Sequence, residues 1–182
     1  MAIEEKYYEV LEFWFEELDE KMWFQSTDQL DEEIQVRFGA THRQAAAGEL
    51  WEWRETVEGR LAEVIVLDQF SRNIHRGRPE AFASDGMALI LAQEALRHKA
   101  IYDLETKQRA FLYMPFMHSE SLVIHEVAMT LFKEKGMESF YKYEKEHRDI
   151  IAMFGRYPHR NAVLNRPSTK KELEFLKQHK GF

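Results

Sequence analysis

The sequence predicts an all-α protein. Apolar residues recur at helical spacing along almost the whole chain, strand-like alternation is scarce, and only 8 glycines and 4 prolines punctuate 182 residues. A hydrophobic content of 45% with 13% aromatics supplies a sizeable core and argues against long disorder. No 34-residue self-similarity marks a repeat array, and no low-complexity tract or linker divides the chain. The expectation is a single all-helical domain over residues 1–182.

Val10, Leu11, Trp14, Phe15 and Leu18 form the first apolar stripe. Thr27 or Asp28 can cap a second helix carrying Leu30, Ile34 and Phe38. A third runs from about Val57, through Leu61, Val64 and Ile65, to about Asn73. Ser84 or Asp85 can cap a fourth, with Leu89, Ala92 and Leu96 on one face. The apolar region from about Glu105 to Lys135 contains Pro115, which predicts two helices meeting near that residue. A further helix spans about Glu138 to Phe154 and is stopped by Gly155 and Pro158. Thr169 with Glu172 is a capping-box pattern for a short last helix. These readings give about eight helices.

Polar residues on buried faces are the informative exceptions. On the third helix, Asp68 and Arg72 align with Leu61 and Ile65, and Gln69, Asn73 and Arg76 form a second stripe beside them. A buried acid and base four residues apart must be paired. They form either an internal salt bridge that fixes packing, or a wall where Arg72 and Arg76 grip an anion and Asp68 orients Arg72. Beyond Pro115, Glu120 falls on the stripe of Val123, Ile124, Val127 and Leu131 and calls for a partner, most readily an arginine. Such a carboxylate suits acid or base work. His118 lies on the opposite side of an ideal helix, so His118 and Glu120 make a poor metal clip. His125 stands about 10 Å further along, too far to share one ion with His118. His147 lies among Phe140, Tyr143, Ile151 and Phe154, as a core histidine or a proton carrier. Phe154 to Asn161, followed by Arg166, gathers Arg156, His159, Arg160 and Asn161 at a helix exit. Its arginine forks suit carboxylate or phosphate, or else cap carbonyls and meet the acids of other helices.

Other chemistries are excluded or unsupported. Zero cysteines rule out disulfides, iron–sulfur clusters, thiolate zinc sites and cysteine nucleophiles, and fit a reducing cytoplasm. There is no Walker loop, GxGxxG, GxSxG or His-Glu-x-x-His, and Ser71 and Ser119 lack a triad context, so no cofactor and no metal are expected. No run of 18 apolar residues predicts a membrane span, and the acidic stretch Met1 to Glu9 does not read as a signal peptide. A net charge of −7 argues against nucleic acid, and the four tryptophans (14, 23, 51 and 53) read as helix packing. The charge is uneven: residues 1–63 carry −11, residues 64–144 carry −1 and residues 145–182 carry +5. Either the two ends attract each other, or the basic end builds an anion site.

Taken together, Phe13-Trp14-Phe15, Leu67 to Asn73 with Arg76-Gly77, Ala81-Phe82 with Asp85, Tyr113 to Pro115 with His118 to Glu120, and Phe154 to Asn161 resemble the bacterial domain of unknown function 924 family. The resemblance runs from about Glu12 to Leu176. It implies helices in antiparallel pairs, in an array similar to tetratricopeptide repeats, and no established activity. The family's signature residues match at Asp68, Gln69, Arg72, Asn73, His118, Glu120, Arg156, His159, Arg160 and Asn161. The chain departs from the pattern at Gly86, where proline is usual, and at Asn165, where glycine is usual.

The reading that follows is a cytoplasmic helical protein with one polar pocket for a small anionic ligand. Gln69, Arg72, Asn73, Arg76, Arg156, Arg160 and Asn161 would bind it. Asp68 or Glu120 would act as base, with His118 or His159 as proton partner, in a hydrolysis or other transfer. The alternatives are a helical interaction module whose arginines clamp peptide carboxylates, and a purely structural network.

Overall fold

A computed structural model describes residues 3–25, 27–179 and 181, with side chains for residues 6–25, 27–179 and 181; residues 1 and 2 of the acidic amino-terminal stretch lie outside them. The described residues are helical, with no strand. The α-helices are α1 (Ile3–Glu12), α2 (Asp28–Ala46), α3 (Val57–Ile65), α4 (Ser71–Ile74), α5 (Asp85–Ala95), α6 (Thr106–Met117), α7 (Leu122–Leu131), α8 (Glu138–Phe154) and α9 (Lys170–Gln178).

α3 is the hub. α1, α5 and α6 all pack on it, α7 packs on α6, and α8 on α7. Its sequence explains this: Leu61, Ala62, Val64 and Ile65 are buried around the whole circumference, the signature of a helix enclosed by others. Thr56 caps its start, accepting from Gly59 N–H at 3.0 Å. Gly59 is required there, because a Cβ would stand 2.0 Å from the Trp53 carbonyl oxygen. Glu63 is fully buried one turn on, held by a two-pronged Arg54 pair at 2.7 Å on each prong.

α3 does not stop at Ile65. It passes through a π-helical segment, Val66–Phe70, directly into α4, with helical torsions at both joins. The expected third helix, from about Val57 to about Asn73, is therefore one rod with a widened turn inside it. Asp68 and Gln69 sit in that turn.

Thr27 caps α2 at 3.1 Å from Leu30 N, Thr169 and Glu172 form a reciprocal capping box on α9, and Gly155 ends α8 at φ 72°. Asn165 also adopts a positive φ, 52°, which asparagine tolerates better than most residues.

The two helices expected to meet near Pro115 are α6 and α7, joined by residues 118–121; Pro115 itself stays inside α6, which runs to Met117. Proline removes only the one hydrogen bond its own N–H would make, and this far along α6 the packed neighbours hold the last turn. Glu120 consequently lies in the connector, not on α7. The buried residues of α7 are His125 and Ala128, and Val123, expected inside, is 74% exposed. The tryptophans also divide. Trp14 and Trp53 are buried, Trp51 is exposed, and Trp23 lines a cleft.

Candidate functional site

A cleft of about 510 Å³ opens between the α3–α4 rod, the end of α6, one face of α8 and the short helical turn Pro158–Arg160. Its polar wall comes from three places. Gln69, Arg72, Asn73 and Arg76 come from the π turn and the residues after it, His118 from the end of α6, and His159 and Arg160 from the carboxyl-terminal turn. His147 of α8 joins them.

Asp68 stands just behind this wall, and its surroundings keep it ionised. Burial opposes its charge, but the contacts to His118 and Arg72 outweigh that and hold its pKa below the ordinary carboxylate range. His118 Nδ1 is 2.7 Å from one carboxylate oxygen, Gln69 Nε2 donates to the other at 2.7 Å, and Arg72 Nη1 donates to the Asp68 carbonyl at 2.7 Å. Burial, with Arg72 close by, pushes the His118 pKa down despite Asp68. The dyad is thus a neutral imidazole donating Nδ1–H to a carboxylate. Nε2 is the nitrogen left for a ligand, on a side chain 16% exposed at the cleft.

Asp85 is shared by two arginines. Arg72 grips it with two bonds, at 2.9 and 3.1 Å, and Arg160 Nη1 reaches it at 3.2 Å. Arg160 also donates to the His118 carbonyl at 3.0 Å and lies between the Phe82 and Tyr157 rings, 4.6 Å from each centroid. It is only 7% exposed, and its Nε finds no partner. Burial and the neighbouring Arg72 lower its pKa. The sequence offered Asp85 as a helix cap and as part of the family pattern; no side-chain cap bond forms at the start of α5, and the pairing with two arginines is not signalled by local spacing.

The remaining polar groups are quieter. Arg76 and Asn73 both bond Asp31 of α2, at 2.5–2.9 Å. His147 Nδ1 donates to the Tyr143 carbonyl at 2.7 Å, and burial takes its pKa down to about 2. Burial, then Arg160, lowers His159 to about 4. Beneath the wall, Tyr157 donates to the Met117 carbonyl at 2.6 Å and touches the buried His125–Glu144 pair. Ser71 and His42 are 2.7 Å apart, yet Ser71 is fully buried and donates its proton to the Leu67 carbonyl, so it is no nucleophile.

Three predicted site residues are not brought to this cleft. Arg156 is held by Glu172 at 2.6 and 2.8 Å and by the Pro167 carbonyl. Asn161 is buried, bonded to Ser168 and Arg166. Glu120 receives both prongs of Arg166, at 2.6 and 2.9 Å, and the Tyr157 backbone N–H at 2.7 Å. Burial opposes its charge, but Arg166 and that N–H still hold its pKa below the ordinary carboxylate value. Glu120 lines a smaller cleft of about 370 Å³, separated from the first by Phe82, His118 and Arg160, which face both. The charged ends of the chain do not simply meet: the carboxyl-terminal arginines are paired by Asp85, Glu120 and Glu172.

The chain is similar over 98% of its length, with a TM-score of 0.92 and 32% identity, to a structure titled as a protein of unknown function, ATU0120 from Agrobacterium tumefaciens, of which it covers 100%. No curated protein matches. The sequence pattern of the family described as bacterial protein of unknown function (DUF924) matches residues 10–180. The chain therefore belongs to the DUF924 family, as its motifs indicated.

Proposed function

We propose that the larger cleft binds a small anion-bearing molecule and that Asp68 and His118 act on it as an acid–base pair. One observation carries this reading. Among the described residues the cleft is lined by Arg72, Arg76 and Arg160 with His118, His147 and His159, and by no carboxylate; Asp31, Asp68 and Asp85 stand behind. The cations face the cleft and the acids neutralise them from the rear. Arg160 lines the cleft and keeps its Nε–H, itself shielded from solvent, without a partner, so an anion that draws the guanidinium toward the cleft adds bonds the protein alone leaves unmade. With Nδ1–H tied to Asp68, His118 Nε2 can take a proton from a water or a ligand hydroxyl, the first step of a hydrolysis.

The test is a thermal-shift screen of metabolite carboxylates and phosphates on the wild type, His118→Gln and Arg160→Leu. We expect anions to raise the melting temperature of the wild type and of His118→Gln, but not of Arg160→Leu, and any turnover to vanish in His118→Gln alone among ligand-binding variants. Equal shifts in wild type and Arg160→Leu would sink the reading. A long carboxyl-terminal peptide that binds where free carboxylates do not would favour an interaction module.

A further inference from the structure

Resting on that anion-site reading, we infer that the ligand is an amphiphile: one carboxylate or phosphate head on an apolar body. Half of the cleft is left unexplained by an anion alone. A volume of about 510 Å³ equals roughly seventeen waters at the liquid volume of one water, far more than a lone phosphate or acetate fills. The remaining lining is apolar, with Trp23, Phe24, Met114, Met117, Phe140 and Tyr143 on the wall.

The two chemistries are laid out along an axis. On α8 the cleft is lined in turn by Phe140, Tyr143 and His147, positions i, i+3 and i+7 of one helix face, which spans roughly 10 Å. His147 marks the polar end, its ring 5.7 Å from Tyr157, and Tyr157 lies 4.6 Å from the Arg160 guanidinium. Phe140 marks the other end, 6.2 Å from Phe24, which stacks on Tyr143 at 6.2 Å. α6 repeats the order, with Met114 and Met117 followed by His118. Phe24 and Tyr143 are 58% and 46% exposed, although both rings lie on a concave wall where an apolar body would cover them. The methionines can repack around bodies of different shape, so length and apolarity should matter more than outline.

The experiment is calorimetric titration with four kinds of probe: acetate to octanoate in steps of two carbons, octyl phosphate, octanol, and inorganic phosphate. A fully buried methylene is worth about fourfold in affinity, and the open rim reduces this, so we expect at least about fourfold for each two carbons added. Octanol should bind at least about tenfold more weakly than octanoate, for want of the charge-assisted bonds. Comparing octanoate with octyl phosphate identifies the head group. Phe24→Ala and Tyr143→Ala, both at the exposed rim, should flatten the chain-length series and leave acetate binding unchanged. If acetate and inorganic phosphate bind as tightly as octanoate, the amphiphile is wrong and the anion site stands. If octanol matches octanoate, the anion site itself is wrong and the inference falls with it. If no probe binds, both fall.

Discussion

Two arginine clusters, built from the same residue types, end in opposite states. In the carboxyl-terminal loop, Arg166 and Arg156 each meet their own carboxylate with two bonds, Glu120 and Glu172, and Asn161 and backbone carbonyls take up the spare donors. In the cleft, Arg72 and Arg160 share Asp85, Arg72 also pairs Asp68 at 3.3 Å, and Arg160 keeps its Nε–H without a partner. A saturated network holds a loop in place. In the second cluster the unpartnered Nε is shielded from solvent, on a side chain that lines the cleft. Arginine count therefore does not separate the two networks; the donors left over do.

The comparison can be broken in several ways. The largest effect expected is Glu120→Ala, which strips Arg166 of both bonds and orphans the Tyr157 N–H; the urea midpoint should report a loss of about 3 kcal/mol. Anion affinity of the folded protein should survive, and its loss would place the loop inside the site.

Acidification comes next and is a cleft-side effect. His147 and His159 are held neutral by burial, at about 2 and about 4. A histidine with a lowered folded pKa contributes stability above its unfolded pKa near 6.5, and that contribution is lost as pH falls toward the folded value. His159 alone should withdraw on the order of 3 kcal/mol by pH 4. His159→Phe should lessen the fall in melting temperature between pH 6.5 and 4, with His147 supplying the rest; an unchanged slope would show that the ring is not neutral in the fold.

Arg160→Leu should weaken anion binding by roughly ten- to hundredfold, the loss of a charge-assisted contact, with stability changed by less than about 1 kcal/mol because Arg72 still pairs Asp85. A large unfolding effect would make Arg160 as structural as Arg166. The smallest effect is Arg76→Ala. This partly exposed pair with Asp31 should cost less than about 1 kcal/mol by denaturant titration.

Much of the fold was legible because it is written locally. Caps at Thr27 and Thr169, the stop at Gly155 and the 3.6-residue periodicity of α2 and α8 need only neighbouring residues. The buried carboxylate of Asp68 was also legible as a break in an apolar pattern, and the half-buried Glu120, although not on α7, does have the arginine it called for. Which arginine was not: Arg166 is 46 residues away, and Arg160 is 75 from Asp85. Periodicity says that a face is covered but not by what, which is why the outer valines of α7 were read as core. It also assumes 100° per residue, so the π turn at Val66–Phe70 was invisible.

That turn has a consequence for how the protein can change. A π turn holds one residue more than an α turn would. Deleting a single residue between Val66 and Phe70 should let the rod relax into ordinary α-helix and gain local regularity. Because the widened turn already absorbs that residue, Arg72, Asn73 and Arg76 should keep their face on the cleft, whereas a deletion in the regular helix before Val66 would turn them by about 100°. The rod thus carries an extra residue inside the widened turn while the residues beyond it stay aimed at the cleft.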